Sequence, residues 1–212
     1  MDRQPVFDNL DHRIRYIHLL MERDLEGIPH FDLPEGYRFV FYEHGNRDTW
    51  IEIEKSAGEF LKYEEGLEAW KKYYEICEQD LPARMLFIEN EAGEKVATAT
   101  AYDGSVEGEA PHTGLLHWVS VRKEYQGKGL ARPLICKTLE TLKSFSYQRV
   151  QLSTQTTTWV ACKLYLDFGF RPTPENAREA ALGWRILKRL TGHPALGDFS
   201  AATEEELLDP KQ

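Results

Sequence analysis

The stretch Leu116-His117-Trp118-Val119-Ser120-Val121-Arg122-Lys123-Glu124-Tyr125-Gln126-Gly127-Lys128-Gly129-Leu130-Ala131 reads as a strand, a glycine turn and the start of a helix. The strand is predicted over 113–122. Beyond the turn, Leu130, Leu134, Ile135, Leu139, Leu142 and Phe145 recur as one apolar helical stripe. Pro133 is tolerated because the first N–H groups of a helix have no internal partner. Two glycines let backbone N–H groups approach a ligand closely, and a helix start adds unpaired donors and the positive end of its dipole. The combination is an anion cradle suited to pyrophosphate. It is not a Walker loop, since Gly129 rather than Ser or Thr follows Gly127-Lys128, and it is not the dinucleotide pattern, since no third glycine follows.

Working outward, Tyr37-Arg38-Phe39-Val40-Phe41-Tyr42 predicts a strand, and 48–56 and 65–78 predict helices. Residues 84–89 and 95–102 flank the turn Asn90-Glu91-Ala92-Gly93-Glu94, a hairpin signature that extends with 113–122 into an antiparallel meander. A strand follows at 149–154, then a helix over 159–168 with Val160, Leu164 and Phe168 on one face, closed by Gly169. Phe170 opens another strand, 176–190 predicts a helix ended by Gly192 and Pro194, and the acidic tail 203–212 is expected to be mobile. Before all of these, 14–21 suits a strand, with a short helix nearly as good a fit, and Gly27, Pro29, Pro34 and Gly36 mark a connector.

The composition narrows the function classes. With 212 residues, 42% hydrophobic and 12% aromatic, the chain can bury a substantial core as one main domain. Its 26 basic and 35 acidic residues give a net charge of -9, which argues against general binding of nucleic acid, so an anion must be held locally. No apolar run approaches a membrane span and Met1-Asp2-Arg3-Gln4 opens no signal peptide, so a cytoplasmic protein without a membrane partner is expected. Cys77, Cys136 and Cys162 read as reduced thiols packed in helices. His-Glu-x-x-His and Gly-x-Ser-x-Gly are both absent, which disfavours a metal hydrolase and a serine hydrolase; no metal site is expected.

Gln126-Gly127-Lys128-Gly129-Leu130-Ala131 resembles the Gln/Arg-x-x-Gly-x-Gly/Ala signature of the GNAT superfamily of N-acetyltransferases. Ala161-Cys162-Lys163-Leu164-Tyr165, followed by Gly169-Phe170, is similar to a second motif of that family. Many members carry Asn three residues before the motif alanine, where this chain has Thr158. The resemblance implies an α/β fold, a GNAT-like acyl-CoA N-acyltransferase with a mixed, mostly antiparallel twisted sheet flanked by helices. It also implies an extension at 1–36, a catalytic domain at 37–173, and a helix with an acidic tail at 174–212.

The implied reaction is transfer of an acetyl group from acetyl-CoA to the amine of a small molecule or peptide, by direct attack in a ternary complex, with a homodimer as a further expectation. The resemblance places pyrophosphate on the amides of Gly127, Lys128, Gly129, Leu130 and Ala131 beside Gln126. It runs pantetheine along Val119, Ser120 and Val121, and leaves Thr158 a hydrogen-bonding role. Tyr165 resembles the general acid. Its phenol pKa of about 10 exceeds the roughly 8.5 of a thiol, so a hydrogen bond to the departing sulfur suffices.

For the base, His117, two residues before Val119 and on its face, Glu59 in the connector after the first helix, and Tyr102-Asp103 at a strand end are candidates. His117 as a strand histidine held by neighbours and Glu59 as a solvated loop acid are the plainer readings. Glu52, Glu54, Glu59, Glu64 and Glu65 would steer a cationic acceptor if they share a surface. The alternative function is a catalytically silent acyl-CoA sensor or interaction module on the same fold.

Overall fold

The computed structural model describes residues 10–104 and 112–209. The first nine residues of the expected extension and the last three of the tail therefore lie outside the described residues. The chain divides into two compact units, one of residues 24–150 and one of residues 1–23 with 151–212. Among the described residues, seven strands, paired mainly antiparallel, and flanking helices make a mixed α/β protein. Among the described residues no helix is long and apolar enough to cross a membrane.

In the 24–150 unit, β2 (Tyr37–Phe41), β3 (Met85–Asn90), β4 (Lys95–Asp103) and β5 (Thr113–Val121) pair in that order, each antiparallel to the next. The β3–β4 turn forms because the Asn90 side chain accepts from the N–H groups of Ala92 and Glu94, and Gly93 takes a φ of 79°. One sheet face packs on α1 (Arg47–Ala57) and α2 (Tyr63–Tyr73), with Trp50, Ile53, Trp70, Met85 and Phe87 at its core. The other face carries Leu86, Ile88, Ala97 and Ala99 against Leu130 and Leu134, the latter in α4 (Ala131–Ser144).

Two predicted features of this unit change. The helix expected over 65–78 ends at Tyr73 and continues as a 3₁₀ turn, Glu75–Asp80, followed by α3 (Leu81–Arg84). Cys77 sits at non-helical angles inside that turn, so its helical spacing from Trp70 and Tyr74 does not extend the helix. Phe145, the last member of the predicted α4 stripe, lies just beyond the helix and stays 40% exposed.

The other unit contains most of β1 (His18–Asp24) and of β6 (Arg149–Gln155), together with β7 (Arg171–Pro172), hydrogen-bonded in the order β6-β1-β7, and α5 (Trp159–Asp167). The N-terminal segment expected over 14–21 is a strand rather than a helix, but it runs from His18 to Asp24, with Ile14 in an isolated bridge. The buried face of α5 is Cys162, Tyr165 and Leu166 rather than the predicted Val160 and Leu164, which are half-buried. The single helix expected over 176–190 is two, α6 (Pro174–Glu179) and α7 (Ala181–Thr191), broken at Ala180, and α7 ends at Gly192 as predicted, with that glycine left-handed. Gly183 lets α7 approach β1, since a Cβ there would lie 2.8 Å from Leu19 and 2.9 Å from Ile17.

Through Leu207 the acidic tail is held in place, contrary to the sequence expectation. Thr203 caps α8 (Glu204–Leu207), Arg185 grips Glu206 through two bonds of 2.7 and 2.9 Å, and Leu207 is buried with Ile14 and Ile186.

Candidate active site

The geometry of β5 departs from a plain strand at its centre. Thr100 pairs with His117 and Thr98 with Ser120, so two steps on β4 oppose three on β5. The extra residue is a β-bulge, and Trp118 within it holds a φ of 49°, unusual for any residue with a Cβ. The bulge resets the alternation of side chains. His117, Trp118 and Ser120 face α1 and α2, whereas Val119 and Val121 face Leu130 and Leu134. The expectation that His117 shares a face with Val119 is therefore wrong, because it assumed unbroken two-residue periodicity.

On the α1–α2 face an aromatic group surrounds the bulge. The Trp118 ring lies 5.4 Å from Trp50 and 5.3 Å from Phe60, and His117 lies 4.6 Å from Tyr102 and 5.1 Å from Tyr73. The Tyr74 hydroxyl is 3.1 Å from His117 Nδ1 and 3.0 Å from Thr100 Oγ1. Desolvation by these neighbours, then the Lys72 cation, pushes the imidazole down to about 3. His117 is a neutral ring at physiological pH, able to accept at one nitrogen and donate at the other. Tyr102 is buried and donates its hydroxyl to the carbonyl of Tyr73.

Glu54 was not singled out as a site residue in the sequence, and it is the most unusual carboxyl of the unit. It is fully buried, its Oε2 accepts from Ser120 Oγ at 2.5 Å, and its Oε1 has no hydrogen-bond partner among the described residues. Burial raises its pKa well above the ordinary carboxyl range, the Ser120 bond opposes this, and the charge of Glu59 adds to it. Glu54 therefore drops out of the acidic surface proposed for steering. Glu65 is engaged too, accepting from the N–H groups of Leu61 and Lys62.

Glu59 lies just past Gly58, the left-handed residue that ends α1. The residue as a whole is exposed, yet desolvation of its carboxyl by nearby protein atoms raises its pKa above the ordinary value.

The glycine turn lies at the other end of β5, after the 3₁₀ turn Lys123–Tyr125. Gly127 and Gly129 take φ of 75° and 82°, a region that side-chain-bearing residues enter only with strain. Among the described residues, a Cβ at Gly127 would meet nothing within 4 Å, and one at Gly129 only Pro34 Cγ at 3.7 Å. The glycines thus serve conformation and leave the space before them open. No side chain caps the start of α4, so its first donors remain available to an anion. Gln126 Nε2 donates to the Val121 carbonyl at 3.1 Å, bracing the turn against the strand, and the Lys128 ammonium sits 4.4 Å from the centre of the Tyr125 ring. These residues can hold a pyrophosphate.

In the other unit, Thr158 precedes α5 and donates its hydroxyl to the Gln155 carbonyl at 3.0 Å, with Thr154 Oγ1 3.2 Å away. Tyr165 is buried on α5, 6.0 Å from the Phe170 ring. Cys162 is fully buried, and desolvation pushes its thiol up to about 11, which suits a packing residue and not a nucleophile.

Comparison with known proteins bears on this geometry. Residues 47–170 match the model of the acetyltransferase (GNAT) family. Among solved structures, a GCN5-related N-acetyltransferase from Sphaerobacter thermophilus is similar at 22% identity and a TM-score of 0.59, over 76% of this chain and 49% of that one. A GNAT-family acetyltransferase from Novosphingobium aromaticivorans matches at 20% identity and a TM-score of 0.52, over 80% and 67% of the two chains. A tandem GNAT protein from the clavulanic acid biosynthesis pathway matches at 18% and 0.51, over 76% and 52%. The chain thus spans about half the length of the Sphaerobacter and clavulanic acid pathway proteins. No curated protein matches it in sequence. At these identities the structural likeness establishes the fold.

Proposed function

The chain belongs to the GNAT acetyltransferase family, and from that premise we propose that it transfers an acetyl group from acetyl-CoA to a primary amine by direct attack in a ternary complex. The observation that carries the reading is the open glycine turn, left-handed at Gly127 and Gly129 and leading into an uncapped helix start. Acetyl-CoA supplies an activated acyl carbon.

The chain's own residues divide the remaining work. The amides of Gly127 through Ala131 hold pyrophosphate, with Gln126 and Lys128 shaping the turn, and the backbone of Val119, Ser120 and Val121 receives pantetheine. Glu59 is the proposed base: desolvation raises its pKa above the ordinary carboxyl value, and the residue is exposed. His117, whose conjugate acid has a pKa of about 3, binds a proton too weakly for that role and is assigned to hydrogen bonding of the amine as a neutral ring. By resemblance, Tyr165 donates a hydrogen bond to the departing sulfur and Thr158 supports the cofactor.

Calorimetric titration of the full chain with acetyl-CoA, CoA and dephospho-CoA, repeated on Gly129→Glu, tests the reading. The substitution places bulk, negative charge and a strained φ in the cradle. Binding of acetyl-CoA that is lost in the variant is the expected result. Absence of binding to every CoA species would remove the enzyme assignment.

A further inference from the structure

A group of metal-ligating side chains lies on the α4 helix and the preceding connector, outside the proposed catalytic residues. Cys136 and Glu140 stand one helical turn apart on α4, and His30 comes from the connector before β2. One potential ligand atom from each of the three falls within 4.8 Å of the others. We propose that His30, Cys136 and Glu140 form a binding site for a divalent transition-metal ion of the zinc class, which fastens the 29–34 segment to α4.

The distances support a shared ion. Ligands at about 2.3 Å (sulfur) and 2.1 Å (oxygen) separated by the tetrahedral angle lie about 3.6 Å apart. Cys136 Sγ and Glu140 Oε1 are 3.7 Å apart. The other carboxylate oxygen of Glu140 is engaged by Lys137 Nζ at 3.6 Å, which keeps Oε1 toward the sulfur. The His30 imidazole is exposed, with a ring nitrogen within 4.8 Å of the other two ligand atoms, and its Nε2 lies 3.2 Å from Asp32 Oδ1. A carboxylate on a ligating imidazole fixes its tautomer and raises its basicity.

The donor set selects the metal. Thiolate, imidazole and a single carboxylate suit zinc or cobalt, whereas magnesium and calcium require oxygen shells. Without metal, Cys136 is a buried thiol donating to the Pro29 carbonyl at 2.8 Å. Burial raises its pKa, and a backbone hydrogen bond from Phe31 opposes the rise. Metal binding replaces that proton: the S–H bond breaks, a metal–sulfur bond forms and the proton leaves to solvent.

The position gives the site a consequence. Phe31 lies 5.9 Å from the Arg132 guanidinium, Leu33 packs with Leu130 and Leu134, and Pro34 is the nearest neighbour of the open side of Gly129. An ion held by His30 and α4 would order a segment that borders the glycine turn. The site stands whether or not that turn takes a CoA.

The test is titration of the metal-free full chain with Co²⁺, followed by displacement with Zn²⁺. One tightly bound cobalt per chain is expected, with a sulfur-to-cobalt charge-transfer band and the intense visible bands of tetrahedral cobalt. Cys136→Ser should abolish the charge-transfer band, and His30→Ala, at an exposed position, should weaken binding by about tenfold or more, at least what loss of an outer-shell partner costs. Cys77→Ser should leave the spectrum unchanged. Absence of the band in the unaltered protein, its survival in Cys136→Ser, or unchanged affinity in His30→Ala would overturn the proposal.

Discussion

Replacing Glu54 by glutamine separates the cost of its charge from the value of its packing. Its Oε2 accepts from Ser120, its Oε1 has no partner among the described residues, and the residue is fully buried. Burial holds its proton affinity well above that of an unfolded carboxyl, whose pKa is 4.5. Between 4.5 and the raised folded value, the folded state binds more protons than the unfolded chain. Stability therefore falls as pH rises through that window, and the loss is complete above the folded pKa. Glutamine keeps the shape, can accept from Ser120 and carries no charge.

A buried polar group without its partner costs about 1–3 kcal/mol, and more when charged. At roughly 2–4 °C per kcal/mol for a chain of this length, Glu54→Gln should raise the Tm by on the order of 5 °C at about pH 8.5. At about pH 5 the two proteins should nearly coincide, because the folded wild type then retains its proton. Thermal unfolding followed by circular dichroism at both pH values measures this. Glu59→Gln, which removes only the neighbouring like charge, should recover a smaller part of the same gain. An equal Tm difference at both pH values, or a less stable glutamine variant at the higher pH, would show that Glu54 is ionised and paired and would refute the reasoning.

Other substitutions probe different links. Gly114→Ala should destabilise by about 1–3 kcal/mol in urea unfolding, because the new Cβ would lie 2.5 Å from Leu142 Cδ2 and 3.2 Å from the Tyr147 ring. Leu207→Ala should cost about 2 kcal/mol, the low end for a buried leucine on a one-turn helix. Because α8 is held to α7 through Glu206 and Arg185, limited proteolysis should then cut the tail faster while the rest of the chain stays intact. Tyr165→Phe should reduce kcat without changing the Kd for acetyl-CoA; undiminished turnover would remove Tyr165 as the acid.

Where local chemistry decides structure, the sequence was legible. The β3–β4 hairpin, the left-handed glycines after β5 and the glycine stop of α7 all follow from turn residues acting within a few positions. The break between α6 and α7 was not legible, because it falls at Ala180, the residue type that most favours continuing a helix. The burial of Glu54 does not show in the sequence, which groups it with the neighbouring glutamates of an acidic surface, because the Ser120 hydroxyl that donates to it lies 66 positions away. The proposed metal ligands escaped for a similar reason. Cys136 and Glu140 have the spacing of one helical turn, but His30 joins them only through tertiary structure.

The bulge in β5 was the least visible feature and governs the most. A tryptophan at positive φ leaves no mark in composition or periodicity, and the strain costs about 1–3 kcal/mol. It persists because the regular alternative costs more. With Trp118 looped out of existence, every residue after it would exchange faces. Val119 and Val121 would leave the apolar cluster of Leu130 and Leu134, and Ser120 would leave Glu54 with both oxygens unpartnered. That second orphaned oxygen alone costs about 1–3 kcal/mol, matching the strain before the valines are considered. Each ring contact of Trp118 with Trp50 and Phe60 adds about 0.5–1.5 kcal/mol in favour of the bulge. The strained residue is thus stabilised by contacts on both sheet faces, and in the proposed reaction those same faces carry the amine and the cofactor. A strictly alternating strand could not present His117 and Trp118 together to the α1–α2 face and still return Val119 to the face that α4 covers.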